Sequence, residues 1–363
     1  MKFSLYKSDL LSALRLVAKS VALKPSTPIL SGIFIKCENS LIELQANNFS
    51  VGIIARIPAY IAAAGLTCVS GKRLAEIVPK MPDDTISFEL VGNKFKIESG
   101  AAKFELLTFD PDDFPQVKAA EGTEFKIPAA LLKEIVARVA SAAGKDDNRP
   151  IFTGVYFELS NGTLKAVATN THRINYFEEK IEFAGEVNML IPASALKDLA
   201  AALPNDATPV KITVNLKDVT FQCSNFMTTA RQIAGQFPPY EKVLDVKENF
   251  SLKVNREEFK GAINRMSMIA KDSEFNGVAL GIEKGCLTVS AKTDTTAAEE
   301  CLEIDGGGDL RIGFNYKYLQ DMLSAISEEF LQIGFGDEYD PAKFQGFGEE
   351  NFVGIITPLR MRG

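Results

Sequence analysis

The sequence predicts an α+β protein made of three tandem copies of one domain, each with two helices packed on antiparallel sheets. Three observations predict it. The strand-to-helix stretch Ile191-Pro192-Ala193-Ser194-Ala195-Leu196 has counterparts at Val69-Ser70-Gly71-Lys72-Arg73 and at Ile312-Gly313-Phe314-Asn315, at offsets of 122 and 121 residues in a chain of 363. A second strand-to-helix unit recurs near positions 3, 125 and 252. A hairpin preceded by a glycine (Gly32, Gly154, Gly277) recurs between the two.

The first copy opens with the strand Phe3-Ser4-Leu5. A helix follows with Leu10, Ala13, Leu14 and Val17 on one face, the 0, 3, 4, 7 spacing of an amphipathic helix. The second copy repeats this with Phe125-Lys126-Ile127, then Leu132, Ile135, Val136 and Val139. The third has Leu252-Lys253-Val254, then Phe259, Ala262, Ile263 and Met266. The hairpins pair 33–37 with 41–45, 155–159 with 164–168 and 278–282 with 287–291; Asn161-Gly162 is a strong hairpin turn signal. The second helix of each copy carries Leu74, Ile77, Val78 and Met81; then Leu196, Leu199, Ala200 and Leu203; then Leu319, Met322, Leu323 and Ile326. Pro192 stands where a helix accepts proline, in its first turn. Further alternating runs follow at 85–90 and 94–98, 210–215 and 219–223, and 330–334 and 343–346. Each copy has about eight strands and looks like two similar halves. The expected domains are 1–120, 121–246 and 247–363.

Hydrophobic content of 46% is ample for a core. No apolar run approaches the ~20 residues of a membrane span. Met1-Lys2-Phe3-Ser4-Leu5-Tyr6 lacks the features of a secretory signal. The five cysteines, Cys37, Cys68, Cys223, Cys286 and Cys301, are scattered and odd in number. That argues against a disulfide framework or zinc site, and for a reducing cytoplasm.

The net charge is −7, which taken alone argues mildly against a nucleic-acid partner. Its distribution points the other way. The six helices, read as 6–20, 71–80, 128–143, 192–203, 255–270 and 315–326, sum to about +6, leaving about −13 for the remainder. The basic candidates on their outward faces are Lys7, Arg15, Lys19, Lys72, Arg73, Lys80, Lys133, Arg138, Lys197, Arg256, Lys260, Arg265 and Lys317, with Lys24, Arg149 and Lys271 on nearby loops. Such a surface can track phosphates without reading sequence.

No motif carries catalysis. The one histidine, His172 in Thr169-Asn170-Thr171-His172-Arg173, has no nucleophile or carboxylate partner in a recognisable pattern. Neither Gly-x-Ser-x-Gly nor His-Glu-x-x-His occurs. The stretch from Gly65 to Arg73 has the wrong spacing for a phosphate loop and reads as a strand-to-helix junction capped by Ser70. Gly306-Gly307-Gly308 reads as a turn. The acidic loop Asp110–Asp113 reads as solvated, and no cofactor is expected. The tail from Phe352 stays apolar and ends in Thr357-Pro358-Leu359-Arg360-Met361, which suggests a docked segment forming one wall of a pocket.

These features together resemble the bacterial β sliding clamp family, the processivity subunit of DNA polymerase III. The resemblance covers the whole chain. It is carried by Met1-Lys2-Phe3-Ser4, Thr27-Pro28-Ile29-Leu30-Ser31-Gly32, Phe109-Asp110-Pro111-Asp112-Asp113-Phe114-Pro115, Arg149-Pro150-Ile151-Phe152-Thr153-Gly154, Val167-Ala168-Thr169-Asn170-Thr171-His172-Arg173, Gly235-Gln236-Phe237-Pro238-Pro239-Tyr240 and Thr357-Pro358-Leu359-Arg360. It implies DNA-clamp domains in a head-to-tail dimeric ring around duplex DNA, with helices lining the hole and no chemistry of its own.

It also implies partners: double-stranded DNA without sequence preference, the replicative polymerase alpha subunit, the clamp loader, and other replication and repair proteins, in the cytoplasm. Clients would insert an extended peptide into a pocket whose matching positions are Phe152, Thr169, Thr171, His172, Arg173, Ile174, Pro238, Val243, Ile355, Ile356, Thr357, Pro358, Leu359, Arg360 and Met361. Lys24, Lys72, Arg73, Lys80, Arg149, Lys197 and Lys317 would face DNA. Lys103, Phe104 and Leu106 would meet Ile269, Ala270, Glu299, Glu300 and Glu303 of the next chain. The family often ends Met-Pro-Met-Arg-Leu; here Thr357 and Leu359 replace the methionines, and the pocket loses some of their adaptability. Two other classes compete: a hydrolase or transferase using His172, and a monomeric tripartite peptide-binding scaffold that does not encircle DNA.

Overall fold

The computed structural model describes residues 1–23, 25, 27–273 and 276–360. Its helices are α1 (Lys7–Val17), α2 (Gly71–Ile77), α3 (Ala129–Val139), α4 (Ala193–Ala202), a single turn α5 (Glu241–Leu244), α6 (Arg256–Ala270) and α7 (Tyr316–Ala325). The apolar stripes read from the sequence are the buried ones. Leu10, Ala13, Leu14 and Val17 are buried, as are Leu132, Ile135, Val136 and Val139, and Phe259, Ala262, Ile263 and Met266. Side-chain caps set three helix starts: Ser70 accepts the Arg73 N–H at 3.4 Å, Asn255 those of Glu257 and Glu258, and Asn315 that of Lys317. α2 tightens at its end into the 3-10 turn Val78–Lys80, where Pro79 offers no N–H to continue the α-helix. α3 stops at Val139, short of the expected 143. The turn α5 is not among the helices expected from the sequence.

The chain packs as two compact units, residues 1–133 with 194–232, and residues 134–193 with 233–363. The middle repeat is thus divided, and the reason is visible in the strands. In the first unit, a 13-stranded sheet runs from Thr123–Pro128 through the second repeat's Pro209–Val214, Asp218–Cys223 and Phe226–Arg231. It continues without a break into Val51–Pro58, Leu41–Asn47 and Gly32–Glu38 of the first repeat. The joining ladder is antiparallel, with Phe226 opposite Ala55 and Ala230 opposite Val51. In the second unit, the second repeat's strand Arg173–Lys180 pairs with the tail strand Phe352–Ile356, Arg173 opposite Ile356 and Phe177 opposite Phe352. That makes a nine-stranded sheet; a separate four-stranded sheet carries Ala297–Glu303, Cys286–Lys292, Gly277–Glu283 and Leu310–Asn315. Backbone pairing between repeats, rather than repeat boundaries, sets what packs with what.

At the Asn161-Gly162 hairpin both residues have positive φ, 51° and 72°, as the predicted two-residue turn needs. Cys286 and Cys301 stand as a disulfide pair, one link rather than a framework, while Cys37, Cys68 and Cys223 are free and buried. The sequence spacing concealed the pair because it forms across two neighbouring strands.

Candidate functional site

Three features of the fold offer function: an apolar cluster behind the tail strand, exposed basic side chains on helices, and two strands with an edge unpaired among the described residues.

The first lies within the second unit. It is a buried apolar cluster of Val167, Ile174, Leu190, Phe237, Tyr240 and Ile355, with Ile151, Ile233, Leu244 and Val246 packed against it. Ile174 and Ile355 face each other across the ladder. Phe237 reaches the cluster from the 233–246 loop and stacks on Tyr156, with ring centroids 5.0 Å apart. Tyr240 donates to Glu158 at 3.2 Å; burial, with that carboxylate, pushes its phenol up from the ordinary value.

The polar rim is the turn Thr169–Arg173. Asn170 Oδ1 accepts the N–H groups of His172 (3.0 Å) and Arg173 (3.1 Å), and Thr169 Oγ1 accepts that of Thr171 (3.1 Å). Thr171 sits at φ 75°, held there by these bonds. The tail is fixed to this turn: Thr357 donates its N–H and its hydroxyl to His172 O, both at 2.9 Å. Leu359 N–H then bonds Gly313 O at 2.7 Å.

Of the predicted pocket residues, Thr171, His172, Val243 and Arg360 are exposed, and Phe152, Thr169, Pro238, Thr357, Pro358 and Leu359 half-buried. Ile174, Ile355 and Ile356 are buried. Met361 lies outside the described residues. Arg173 differs from the exposed members of this set. Its guanidinium is buried, binds Asp321 at 2.7 Å and Ser141 O, and lies 4.5 Å from the centre of the Tyr318 ring. It braces the turn from behind. Asn170, Tyr318, Asp321 and Ser141 were not anticipated; the polar run 169–173 was the available signal for Asn170 alone.

Among the predicted basic residues, Lys72, Arg73, Lys80, Arg149, Lys197 and Lys317 are exposed; Lys24 lies outside the described residues. Arg73 pairs with Glu76 at 3.1 Å, and Lys317 lies 5.8 Å from the centre of the Tyr316 ring. Three other helix arginines do not face outward freely. Arg138 is buried, binding Glu134, Glu328, Glu349 and Ser327. Arg256 donates to Glu328 O at 2.9 Å. Arg265 makes a bidentate pair with Glu300 at 2.7 and 2.6 Å.

The free edges follow from the repeat. Strand Val51–Pro58 pairs with Phe226–Arg231, and its counterpart Arg173–Lys180 pairs with Phe352–Ile356. The next counterpart of the first set is Ala297–Glu303, which among the described residues pairs only with Cys286–Lys292. The remaining counterpart of the second set is Ala102–Phe109, whose residues Ala102–Leu107 among them pair only with Lys94–Ser99. Among the described residues both are left with an unmatched edge. On Ala102–Phe109, Lys103, Phe104 and Leu107 are exposed and Leu106 half-buried; Lys103 stands 3.5 Å from Glu98. On Ala297–Glu303, Glu299 and Glu303 are exposed. Ile269 is half-buried. Ala270 is fully buried in the helix stripe, so it cannot present a contact; Met268 is the exposed apolar residue there. Leu107 and Met268 were missed.

The acidic loop forms the 3-10 turn Pro111–Asp113, its Asp110 carboxylate accepting the Asp112 N–H at 3.0 Å. Among the described residues no group of three or more acidic, histidine or cysteine side chains could hold a metal. No helix among them is long and apolar enough to cross a membrane.

Comparison with known proteins places the whole chain. Family models for the N-terminal, central and C-terminal domains of the DNA polymerase III beta subunit match residues 1–118, 126–239 and 241–360. The beta sliding clamps of Pseudomonas aeruginosa and Bacillus subtilis are each 26% identical, with 99% of this chain and 100% of each relative covered. A solved Bacillus subtilis DNA polymerase sliding clamp superposes with a TM-score of 0.92 at 26% identity, covering 100% of both chains. A Pseudomonas aeruginosa sliding clamp bound to griselimycin superposes at 0.93 with 25% identity, covering 99% of this chain and 100% of that one.

Proposed function

Because the chain belongs to the DNA polymerase III beta-subunit family, we propose that it works as a ring of two copies joined head to tail around duplex DNA. It is a sliding clamp and processivity factor, a non-catalytic accessory subunit. The observation that carries the ring is the pair of unmatched edges. Two of the three equivalent strand junctions are made within the chain, and each partner strand of the third has one free side. A second copy supplies the missing strand at each end, with Lys103, Phe104, Leu106 and Leu107 of one copy against Glu299, Glu303 and Ile269 of the next. The contact is heterologous, and a ring of two copies closes it on itself and covers both of these edges.

The repeats then divide at about 120 and 246, and the exposed cations Lys72, Arg73, Lys80, Arg149, Lys197 and Lys317 meet phosphates. Encirclement, not tight contact, holds the protein on DNA, so no single cation need bind strongly. The cleft of Ile174, Ile355, Pro238 and Val243, rimmed by Thr169, Thr171, His172 and Thr357, takes an extended apolar peptide from clients. These are the polymerase alpha subunit, the clamp loader and repair proteins, met in the cytoplasm.

The test is retention on a circular plasmid after loading, before and after one cut. Retention on the circle and loss from the linear form is expected. Equal retention on both would overturn encirclement and leave a peptide-binding scaffold.

A further inference from the structure

The free-edged strand Ala297–Glu303 also carries one half of the disulfide. The ladder sets Cys301 opposite Thr288 and Cys286 opposite Glu303, so the two cysteines are diagonal neighbours on one face of the sheet. Their Cα atoms are 6.1 Å apart, within the range a disulfide spans. That face is wet. Cys301 is exposed and Cys286 half-buried, while Leu287, Val289 and Leu302 point into the core. Cys37, Cys68 and Cys223 differ in every respect: they are buried, and burial pushes their thiols up, that of Cys68 to about 12. Buried thiols of this kind are inert.

We propose that Cys286 and Cys301 are a reversible dithiol–disulfide site, which when oxidised staples the free-edged strand to its neighbour. Position supports this as well as reactivity. The strand has one ladder partner among the described residues. Its Glu300 is clamped from α6 by Arg265. The disulfide holds the part beyond that clamp, Cys301–Glu303. In a reducing compartment the pair rests as two thiols and closes when a small-molecule disulfide reaches it. The Cys301 thiolate attacks a sulfur of that oxidant, forming a mixed disulfide and releasing one thiol. The Cys286 thiolate then attacks the Cys301 sulfur and releases the second. Two protein thiols give up two protons and two electrons, and the oxidant leaves as two thiols.

The experiment uses the full chain, reduced, then exposed to 2-hydroxyethyl disulfide. This neutral oxidant is chosen because Glu299 and Glu303 share the cysteines' face. Expected are an intact mass lower by two hydrogens, a peptide map linking Cys286 to Cys301, and reversal by dithiothreitol. Cys301→Ser should instead keep a single mixed disulfide on Cys286, with no internal link. Amide hydrogen exchange across 301–303 should be several-fold slower in the oxidised protein. Mixed disulfides on the unmutated chain that never resolve into the link would overturn the site. Equal exchange in the two states would overturn the staple.

Discussion

Arg138 offers the most direct test of how the second unit is held together. Its guanidinium is buried on α3 between the rings of Phe177 and Phe352, whose centres lie 5.9 and 5.6 Å away. It takes the Oε1 of Glu349, a buried carboxylate whose Oε2 has no hydrogen-bond partner. Glu349 precedes the tail strand Phe352–Ile356, so this pair fastens the strand that backs the proposed peptide cleft. Arg138→Met keeps much of the apolar stem but strands the carboxylate. Breaking a buried pair by removing one partner costs about 3–5 kcal/mol, because the other charge stays buried without compensation. Burial already pushes Glu349 above the usual carboxylate range, only partly opposed by Arg138. A folded-state value above the unfolded one means that the group's stabilisation is full at low pH and falls as pH rises through the folded value. In Arg138→Met that value rises further, so urea unfolding should show the full loss near pH 8 and a smaller one near pH 5. Adding Glu349→Gln removes the stranded charge and should recover most of the loss at pH 8. A loss under about 1 kcal/mol in the single variant, or a double variant no better than the single, would refute the reasoning.

Three further outcomes are expected. Deleting Leu359–Gly363 should weaken binding of a client-type peptide about tenfold or more, about 1.4 kcal/mol, by calorimetry. The far-UV spectrum should stay unchanged, since Phe352–Ile356 keeps both its neighbours; unchanged affinity would remove the tail from the site. Phe104→Glu puts a charge on the exposed edge strand and should shift the dimer toward single copies in sedimentation at micromolar concentration; an unaltered dimer would place the interface elsewhere. Reversing charge at Lys24, Lys72 and Arg149 together should slow loading onto DNA and flatten its salt dependence, by a log–log slope of up to about 3 if each meets a phosphate; no change would leave these side chains without a role on DNA.

What the sequence made legible was what periodicity encodes. The stripe Leu132, Ile135, Val136, Val139 marked α3, and all four are buried. The hairpin around Asn161-Gly162 was marked by its own turn chemistry. Features that depend on residues distant in the chain were not legible. Arg138 counted as an outward charge because it lies on a helix, yet the carboxylate that buries it is 211 positions away. Arg173 was expected in the pocket from the resemblance alone; Tyr318 and Asp321, which enclose it, lie on a helix in another repeat. Cys286 and Cys301 looked unrelated until the strand register set them side by side. Ala270 was carried over from the family, but the stripe of α6 turns it inward.

The two unmatched edges also bear on which way copies join. An open strand edge will pair with any compatible strand, its own copy included. The edge Ala297–Glu303 carries Glu299, Glu300 and Glu303, with only Glu300 neutralised, by Arg265. Two such edges face to face would set carboxylates against carboxylates, which destabilises a strand pair. The edge Ala102–Phe109 carries both Lys103, paired with Glu98, and Glu105, paired with Lys94, together with the exposed Phe104 and Leu107. Joining the acidic edge to this mixed one avoids setting carboxylates against carboxylates and covers the exposed apolar side chains. Like-charge opposition therefore disfavours pairing the acidic edge with its own copy. A contact between unlike edges is the head-to-tail kind, which must either close into a ring or propagate without end.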